Sequence, residues 1–371
     1  MIDYKKIKIL IITSRADFGG GPKHIYSLVK QLKNKIDFSI TCPKDYPYFD
    51  LYSELIGSDN IIEIPHRKFT SSTLFSLIKF IKKNKIHIIH SHGKGAGIYS
   101  RLLSLFTGTI SVHTFHGIHI DEYNSIIKFL YLSVEKILSV FTKRLISVSN
   151  SERERVLKLK ISNKNKIITI ENGVELEKNK LVNFNPANNV IDILTISRFD
   201  FAKNSNLLIP ICNELNVLDS DFNYSINILG DGELKDNFEK ELLLNGLTGK
   251  IKLLGAHLDI SDILINSFCY ISTSKWEGMP LSVIEAMAVG LPIIATNVTG
   301  NKDVVINNVN GFLYDINNPK EAAEYILKIA KDINLWNKFS KASREMAEKN
   351  YSAQRMAIET FELYNKILTN E

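Results

Sequence analysis

Ile7-Lys8-Ile9-Leu10-Ile11-Ile12-Thr13 is apolar but for one lysine and its final threonine, and it leads within a few residues to Gly19-Gly20-Gly21-Pro22-Lys23-His24, where a helical spacing of apolar residues begins. Near-continuous apolarity along a short β-branched run marks a strand buried on both faces, as in a parallel sheet. The three glycines allow a tight turn or a close backbone approach. Pro22 suits the first helical turn, so free N–H groups and the positive end of the helix dipole would face an anion there. The segment is neither GxGxxG nor a Walker A loop, and by itself it reads equally well as a phosphate cradle or as a bare strand–helix turn.

The same alternation continues outward. β-branched runs at Phe38–Thr41, Ile61–Ile64, Ile86–His90, Ile110–Thr114, Arg144–Val148 and Ile167–Ile170 are separated by helix-length segments with apolar residues three and four apart. A second series runs through Asp192–Ser197, Tyr224–Leu229, Ile251–Leu253, Cys269–Thr273, Pro292–Ala295 and Gly311–Tyr314. Two such series predict an α/β protein of two doubly wound, Rossmann-like domains. Glu177–Asn189, rich in Asn and Lys with Pro186 near its end, has no hydrophobic period and reads as the linker. The predicted division is an N-terminal domain at 1–187, a C-terminal domain at 188–350 and a terminal helix at 351–371, set off by Asn350-Tyr351-Ser352.

The length of 371 residues accommodates two domains of about 100–200 residues, each with its own core. Cys42, Cys212 and Cys269 are far apart and form no CxxC, which argues against a disulfide framework or a cysteine zinc site and fits a reducing compartment. The net charge of +6 hides an asymmetry: residues 1–187 hold 29 Lys+Arg and 16 Asp+Glu, whereas residues 188–371 hold 17 and 24. The first half is therefore expected to face something anionic, and charge alone admits nucleic acid or a lipid surface. No nucleic-acid recognition motif or interleaved aromatic stripe accompanies it. The N-terminal apolar run lacks a small-residue cleavage site and reads as a strand, not a signal peptide. Ile126–Phe141, the most lipophilic region, carries Lys128, Glu135 and Lys136 and is too short and too charged to span a bilayer. Core packing is the preferred reading there, with a membrane-surface helix as the other.

Ligands of open α/β sheets bind beyond the carboxyl ends of the strands, so the loops after strands carry the chemistry. Ser197-Arg198-Phe199-Asp200-Phe201-Ala202-Lys203 can grip a diphosphate from two sides, through a guanidinium fork and an ammonium point charge, or can be a solvated loop. Further on, Glu277-Gly278-Met279-Pro280-Leu281 opens a helix whose N-terminal amides form an anion site. Glu285, one turn into that otherwise apolar helix, matches a sugar diol, or is an acid favoured by the helix dipole. In the first half, His90-Ser91-His92-Gly93 and Thr114-Phe115-His116-Gly117 are read as loops presenting imidazoles, with His87, His113 and His119 nearby. No ligand set for a metal emerges from this spacing. Asp219-Ser220-Asp221 falls between a helix and a strand and reads as a polar turn.

This constellation resembles the retaining glycosyltransferases of the GT-B fold, specifically family 4 of the "glycosyl transferases group 1" type. The landmarks are Gly19-Gly20-Gly21, His116-Gly117, Val148-Ser149, Asn172-Gly173-Val174, Arg198 with Lys203, Gly230-Asp231-Gly232, Leu254-Gly255, Glu277-x7-Glu285 and Asn310-Gly311-Phe312, in family order over nearly the whole chain. The resemblance implies two Rossmann-like domains facing each other across a cleft, with a nucleotide diphosphate sugar held mainly by the second and the terminal helix at 351–371 packed back on the first. It casts Arg198 and Lys203, helped by the backbone of Gly278, Met279, Pro280 and Leu281 and of Gly19, Gly20 and Gly21, as neutralising the diphosphate. It also places Glu285 on the ribose, Glu277 on the donor sugar, the base near Gly255 and His257, and His116 at the reacting centre. His92 and Lys23 are candidates on the acceptor side.

Family members keep the donor's α configuration. The usual proposal is same-face substitution in which the leaving phosphate takes the acceptor's proton, so no carboxylate pair, metal or separate cofactor is implied. Gly278-Met279-Pro280 departs from the commonest family pattern and resembles enzymes of capsule, O-antigen and exopolysaccharide assembly, and Thr299-Gly300-Asn301 replaces a usual Gly-Gly pair. The expected partners are a UDP-sugar, a saccharide or lipid-diphosphate-linked acceptor, and an anionic membrane surface contacted from the cytoplasm by Lys82-Lys83-Asn84-Lys85 and Lys143-Arg144. The alternatives are a non-hydrolysing nucleotide-sugar 2-epimerase of the same fold and a non-catalytic sugar-binding module.

Overall fold

The computed structural model describes residues 7–118, 120, 122–177, 180–182 and 190–369. The chain divides into two compact units, Met1–Glu175 with Ala353–Glu371, and Leu176–Ser352. The break falls at Glu175/Leu176, ahead of the sequence-predicted 187. The reason lies in the described part of the Asn- and Lys-rich segment: the Val182 amide donates to Val289 O at 2.8 Å, which ties it to the second unit. Most of that segment, like His119, lies outside the described residues.

The first unit is a seven-stranded sheet of β1 (Lys8–Thr13), β2 (Asp37–Cys42), β3 (Ile61–Glu63), β4 (Ile88–His92), β5 (Ile110–Thr114), β6 (Arg144–Ser147) and β7 (Ile167–Thr169). They pair in parallel in the order β3-β2-β1-β4-β5-β6-β7. The two-residue period of β1 builds both sides of the core. Ile9 and Ile11 pack with the helices Gly20–Leu32, Tyr48–Ile56 and Ala353–Thr369, while Leu10 and Ile12 pack with Ser71–Asn84 and Lys94–Thr107. The terminal helix joins the first core through a stripe of Met356, Leu363, Tyr364 and Ile367, the spacing of one helical face.

The second unit is a six-stranded sheet of β8 (Ile191–Ile196), β9 (Tyr224–Leu229), β10 (Ile251–Gly255), β11 (Cys269–Ser272), β12 (Ile293–Thr296) and β13 (Gly311–Tyr314), parallel in the order β10-β9-β8-β11-β12-β13. Every strand read from the sequence is present in both units, and both are Rossmann-like.

Two local readings are corrected. β4 runs on through His92, so His90 and Ser91 are buried strand residues, not loop residues. The helix Ser125–Val140 is not an ordinary core helix: only Glu135, Leu138 and Ser139 are buried, Tyr131 and Leu132 pack at the edge of the core, and Ile126, Ile127, Phe129, Leu130, Val134, Ile137 and Val140 face solvent. Asp219-Ser220-Asp221 forms a turn after the helix Leu208–Leu218, with Asp219 ion-paired to Lys331 at 2.7 Å.

Candidate active site

In the second unit the connections leaving β8 and β11 diverge, and the gap between their carboxyl ends is the switch point where such sheets take ligands. Here the loop after β8 is stitched to the loop after β11. Lys275 N donates to Ala202 O at 2.8 Å and Thr273 Oγ1 to Lys203 O at 2.8 Å. Lys203 Nζ lies 2.6 Å from Glu277 Oε1, which also accepts from Ser274 Oγ at 2.7 Å. Asp200 organises the other side: Oδ2 accepts from Arg198 Nε at 2.6 Å and Oδ1 from the Lys203 amide at 2.9 Å. Burial by itself would lower the Lys203 pKa, but the Glu277 carboxylate outweighs it and the ammonium is held above its ordinary value. The cluster thus pairs two cations with two carboxylates beside the start of the helix Leu281–Ala288.

Backbone packing sets this geometry. Gly300 has φ +87°, and a Cβ there would stand 2.5 Å from Glu277 Cβ, while Glu277 N donates to Thr299 O at 3.0 Å. The loop after β12 therefore seats Glu277 only because residue 300 has no side chain. Gly230 lies similarly against the first loop, where an added Cβ would meet Ser197 O at 2.0 Å. Gly255 ends β10 with its carbonyl accepting from Gly230 N at 2.8 Å; His257, exposed, bonds Leu254 O through Nε2 at 2.8 Å. Glu285 is half-buried on its helix.

The first unit has its own switch point between β1 and β4, and histidines gather there. His92 ends β4, His116 follows β5, and His24 comes from the helix that starts at Gly20. His92 Nδ1 and His116 Nε2 are 3.1 Å apart with the rings stacked at 5.4 Å, and the His24 ring lies 4.9 Å from that of His116. Gly21 abuts the same imidazole, its Cβ position 3.9 Å from His116 Cδ2. Asn172 Oδ1 accepts from His24 Nδ1 at 2.9 Å, which leaves His24 Nε2 as the unprotonated ring nitrogen. Behind them His90 is fixed by Tyr364 Oη at 2.6 Å and Thr114 Oγ1 at 2.7 Å. Burial depresses the pKa of His24 to about 4 and of His90 to about 3, and pushes those of His92, His113 and His116 well down, so the group is neutral at pH 7.

These neutral rings offer hydrogen bonds, not positive charge. Ligand nitrogens of His24, His92 and His116 lie within 4.8 Å of one another, the only such trio among the described residues and one that a transition metal could use.

Within each unit the structure gathers most of the sequence-predicted residues: Arg198, Lys203 and Glu277 in one, Gly21, His92 and His116 in the other. Lys23 is half-buried on the first turn of its helix, its amide bonded to Gly19 O at 3.2 Å. Spacing does not give Asp200 and Ser274 as partners of the charged cluster, nor His24 as a partner of His116, and Asn172, part of a landmark triplet, is not read from it as the partner of His24. For His24 a signal existed, since a histidine one turn past a glycine turn lies over the strand ends. Glu152 was also missed. Its carboxylate accepts from Gly117 N at 2.6 Å and Val148 N at 2.9 Å, while Ser149 Oγ caps its amide. The Ser149-x-x-Glu152 spacing is a helix-start signature.

Two family profiles match in tandem, Glycosyltransferase Family 4 over residues 18–178 and Glycosyl transferases group 1 over residues 177–346. The chain belongs to the family 4, group 1 glycosyltransferases. Among its relatives, the Escherichia coli UDP-Gal:alpha-D-GlcNAc-diphosphoundecaprenol alpha-1,3-galactosyltransferase is 29% identical, with 99% of each chain covered. The Staphylococcus aureus capsular polysaccharide biosynthesis glycosyltransferase CapH is 28% identical over 80% of this chain and 83% of its own. In fold, this glycosyltransferase matches a solved Rickettsia africae glycosyltransferase with a TM-score of 0.79 at 24% identity, covering 99% of this chain and all of the other. It matches Anabaena Alr3699/HepE, solved with UDP and glucose, with a TM-score of 0.84 at 18% identity, covering 97% and 100%. The two Rossmann-like sheets are those of the GT-B architecture.

Proposed function

We propose that this glycosyltransferase moves a sugar from a UDP-sugar to a saccharide or lipid-diphosphate-linked saccharide in surface polysaccharide assembly, with retention of the α configuration and without a metal. The observation that carries the reading is the Arg198, Asp200, Lys203, Glu277 and Ser274 cluster at the second switch point, beside a helix N-terminus. The names of the relatives, one using UDP-Gal and a diphosphoundecaprenol-linked sugar, support the donor and acceptor classes.

Arg198 and Lys203 bind the diphosphate and stabilise the charge that develops as the sugar departs, which is the work an ion would otherwise do. Asp200 orients the guanidinium, and Glu277, held by Ser274 and seated on Gly300, accepts from a donor-sugar hydroxyl. Glu285 takes the ribose hydroxyls, and the base lies near Gly255 and His257. His116, neutral and steadied by His92, hydrogen-bonds the sugar near the reacting carbon. The departing phosphate oxygen takes the acceptor proton. No described helix is long and apolar enough to cross a membrane, and the reading places the enzyme on the inner face of the cytoplasmic membrane.

The test is nucleotide release from UDP- and GDP-sugars with a lipid-linked acceptor extract, with and without EDTA, and the anomeric configuration of the product by NMR. UDP release that needs the acceptor, persists in EDTA and yields the α-linked product is expected. A 2-epimer formed from UDP-sugar alone, or an inverted linkage, overturns it.

A further inference from the structure

The helix Ser125–Val140 turns toward water the side chains that a globular protein hides. Ile126, Phe129 and Val140 are 72%, 69% and 71% exposed, and Leu130, Val134 and Ile137 are exposed in the same stripe. With 3.6 residues per turn these six share one face, and no charged residue lies on it. The helix's one carboxylate, Glu135, points inward, where Oε2 meets the buried Arg101 Nη2 at 3.1 Å. Lys136 borders the stripe, Lys143 and Arg144 follow the helix, and Lys166 Nζ bonds the Ser139 carbonyl at its carboxyl end. The adjoining helix Lys94–Thr107 adds exposed Leu105 and Phe106.

A continuous face of large apolar side chains exceeds the scattered single residues of an ordinary surface. Its margin holds cations, and its acid has been withdrawn into an internal ion pair. That combination fits an interface of acyl chains bordered by anionic headgroups. At 16 residues with one apolar face, the helix suits lying in the interface and is too short to span it.

We propose that this face docks on an anionic phospholipid bilayer, with Phe129 and Leu130 among the acyl chains and Lys136, Lys143 and Arg144 at the phosphates. The inference rests on the membrane-side reading above and names the surface that serves it. Its test needs no donor or acceptor, so the two can fail separately.

The full chain is partitioned onto vesicles of phosphatidylcholine with and without phosphatidylglycerol, at low and high salt. The comparison uses Phe129→Glu/Ile137→Glu and Lys136→Glu/Lys143→Glu, with circular dichroism confirming that each variant folds. The proposal expects binding that requires phosphatidylglycerol and falls at least about tenfold in either double variant, given headgroup attraction of this size per cation. Absence of binding, binding equal in all three proteins, or a wild-type dimer that Phe129→Glu/Ile137→Glu makes monomeric without any lipid affinity each overturns it. The last result would assign the face to a second copy of the chain.

Discussion

Lys203 keeps a charge that burial alone would weaken, because Glu277 stands 2.6 Å away. Replacing Lys203 by Ala leaves that carboxylate without its cation, and replacing Arg198 by Ala removes the fork that Asp200 aims. Each substitution is expected to lower kcat/KM for the donor by about 10²–10³, as for loss of one preorganised donor to developing charge. Steady-state nucleotide release checks this, and a change confined to KM would mean that the cations bind ground and transition state equally and do not accelerate the chemical step. Gly300→Ala belongs to the same scale. With φ +87° and a Cβ 2.5 Å from Glu277 Cβ, it is expected to cost more than about 1 kcal/mol by urea unfolding and to lower turnover by displacing Glu277. Arg198, Lys203 and Glu277 were legible because each is a charged residue just past a strand. Asp200 lay in the quoted loop, yet its role needs the fold, since an acid two residues from an arginine is usually solvated.

The terminal helix reaches the histidine row through one hydroxyl, Tyr364 Oη on His90 Nδ1 at 2.6 Å. Tyr364→Phe keeps the ring in the core and strips a buried imidazole nitrogen of its partner, which is expected to cost about 1–3 kcal/mol in urea unfolding. A loss no larger than that of an exposed Tyr→Phe change, such as Tyr123→Phe, would show that the bond contributes nothing. Strands were the most readable elements, because β-branched runs buried on both faces admit little else. The error at β4 has a physical source: His90, Ser91 and His92 are polar, so hydrophobicity ends the strand early, whereas the backbone ladder to β1 and β5 continues through His92. The helix Ser125–Val140 failed for the opposite reason. Its apolar stripe looks like a core stripe, and sequence does not show which side of a helix the sheet lies on.

For the whole molecule, the buried histidines fix the sign of a pH dependence. His24 and His90 have folded pKa values of about 4 and about 3, below the ordinary 6.5, so the unfolded chain takes up their protons first. The stability they contribute is complete above about pH 6.5 and is lost as the pH falls toward the folded values. At about 1.4 kcal/mol per group per pH unit, these two remove up to about 4 kcal/mol between about pH 6.5 and about pH 5. The downward shifts of His92, His113 and His116 add to the loss. Urea unfolding across that range is expected to show the decline, and a flat profile would mean that the imidazoles are solvated. Two domains, their class and their strand-end loops were readable from alternation alone. The placement of the last helix did not come from periodicity, which shows that a helix has a buried face without showing whose core receives it; the family resemblance implied the first domain, and the structure puts the helix there.

That placement bears on how the protein is made. The ribosome releases the first seven strands early, but the stripe of Met356, Leu363, Tyr364 and Ile367 that completes their core follows only after residues 176–352 have emerged. The second unit can finish its sheet while the nascent first unit still lacks its closing helix. During synthesis, the half that is made first is the half that is completed last.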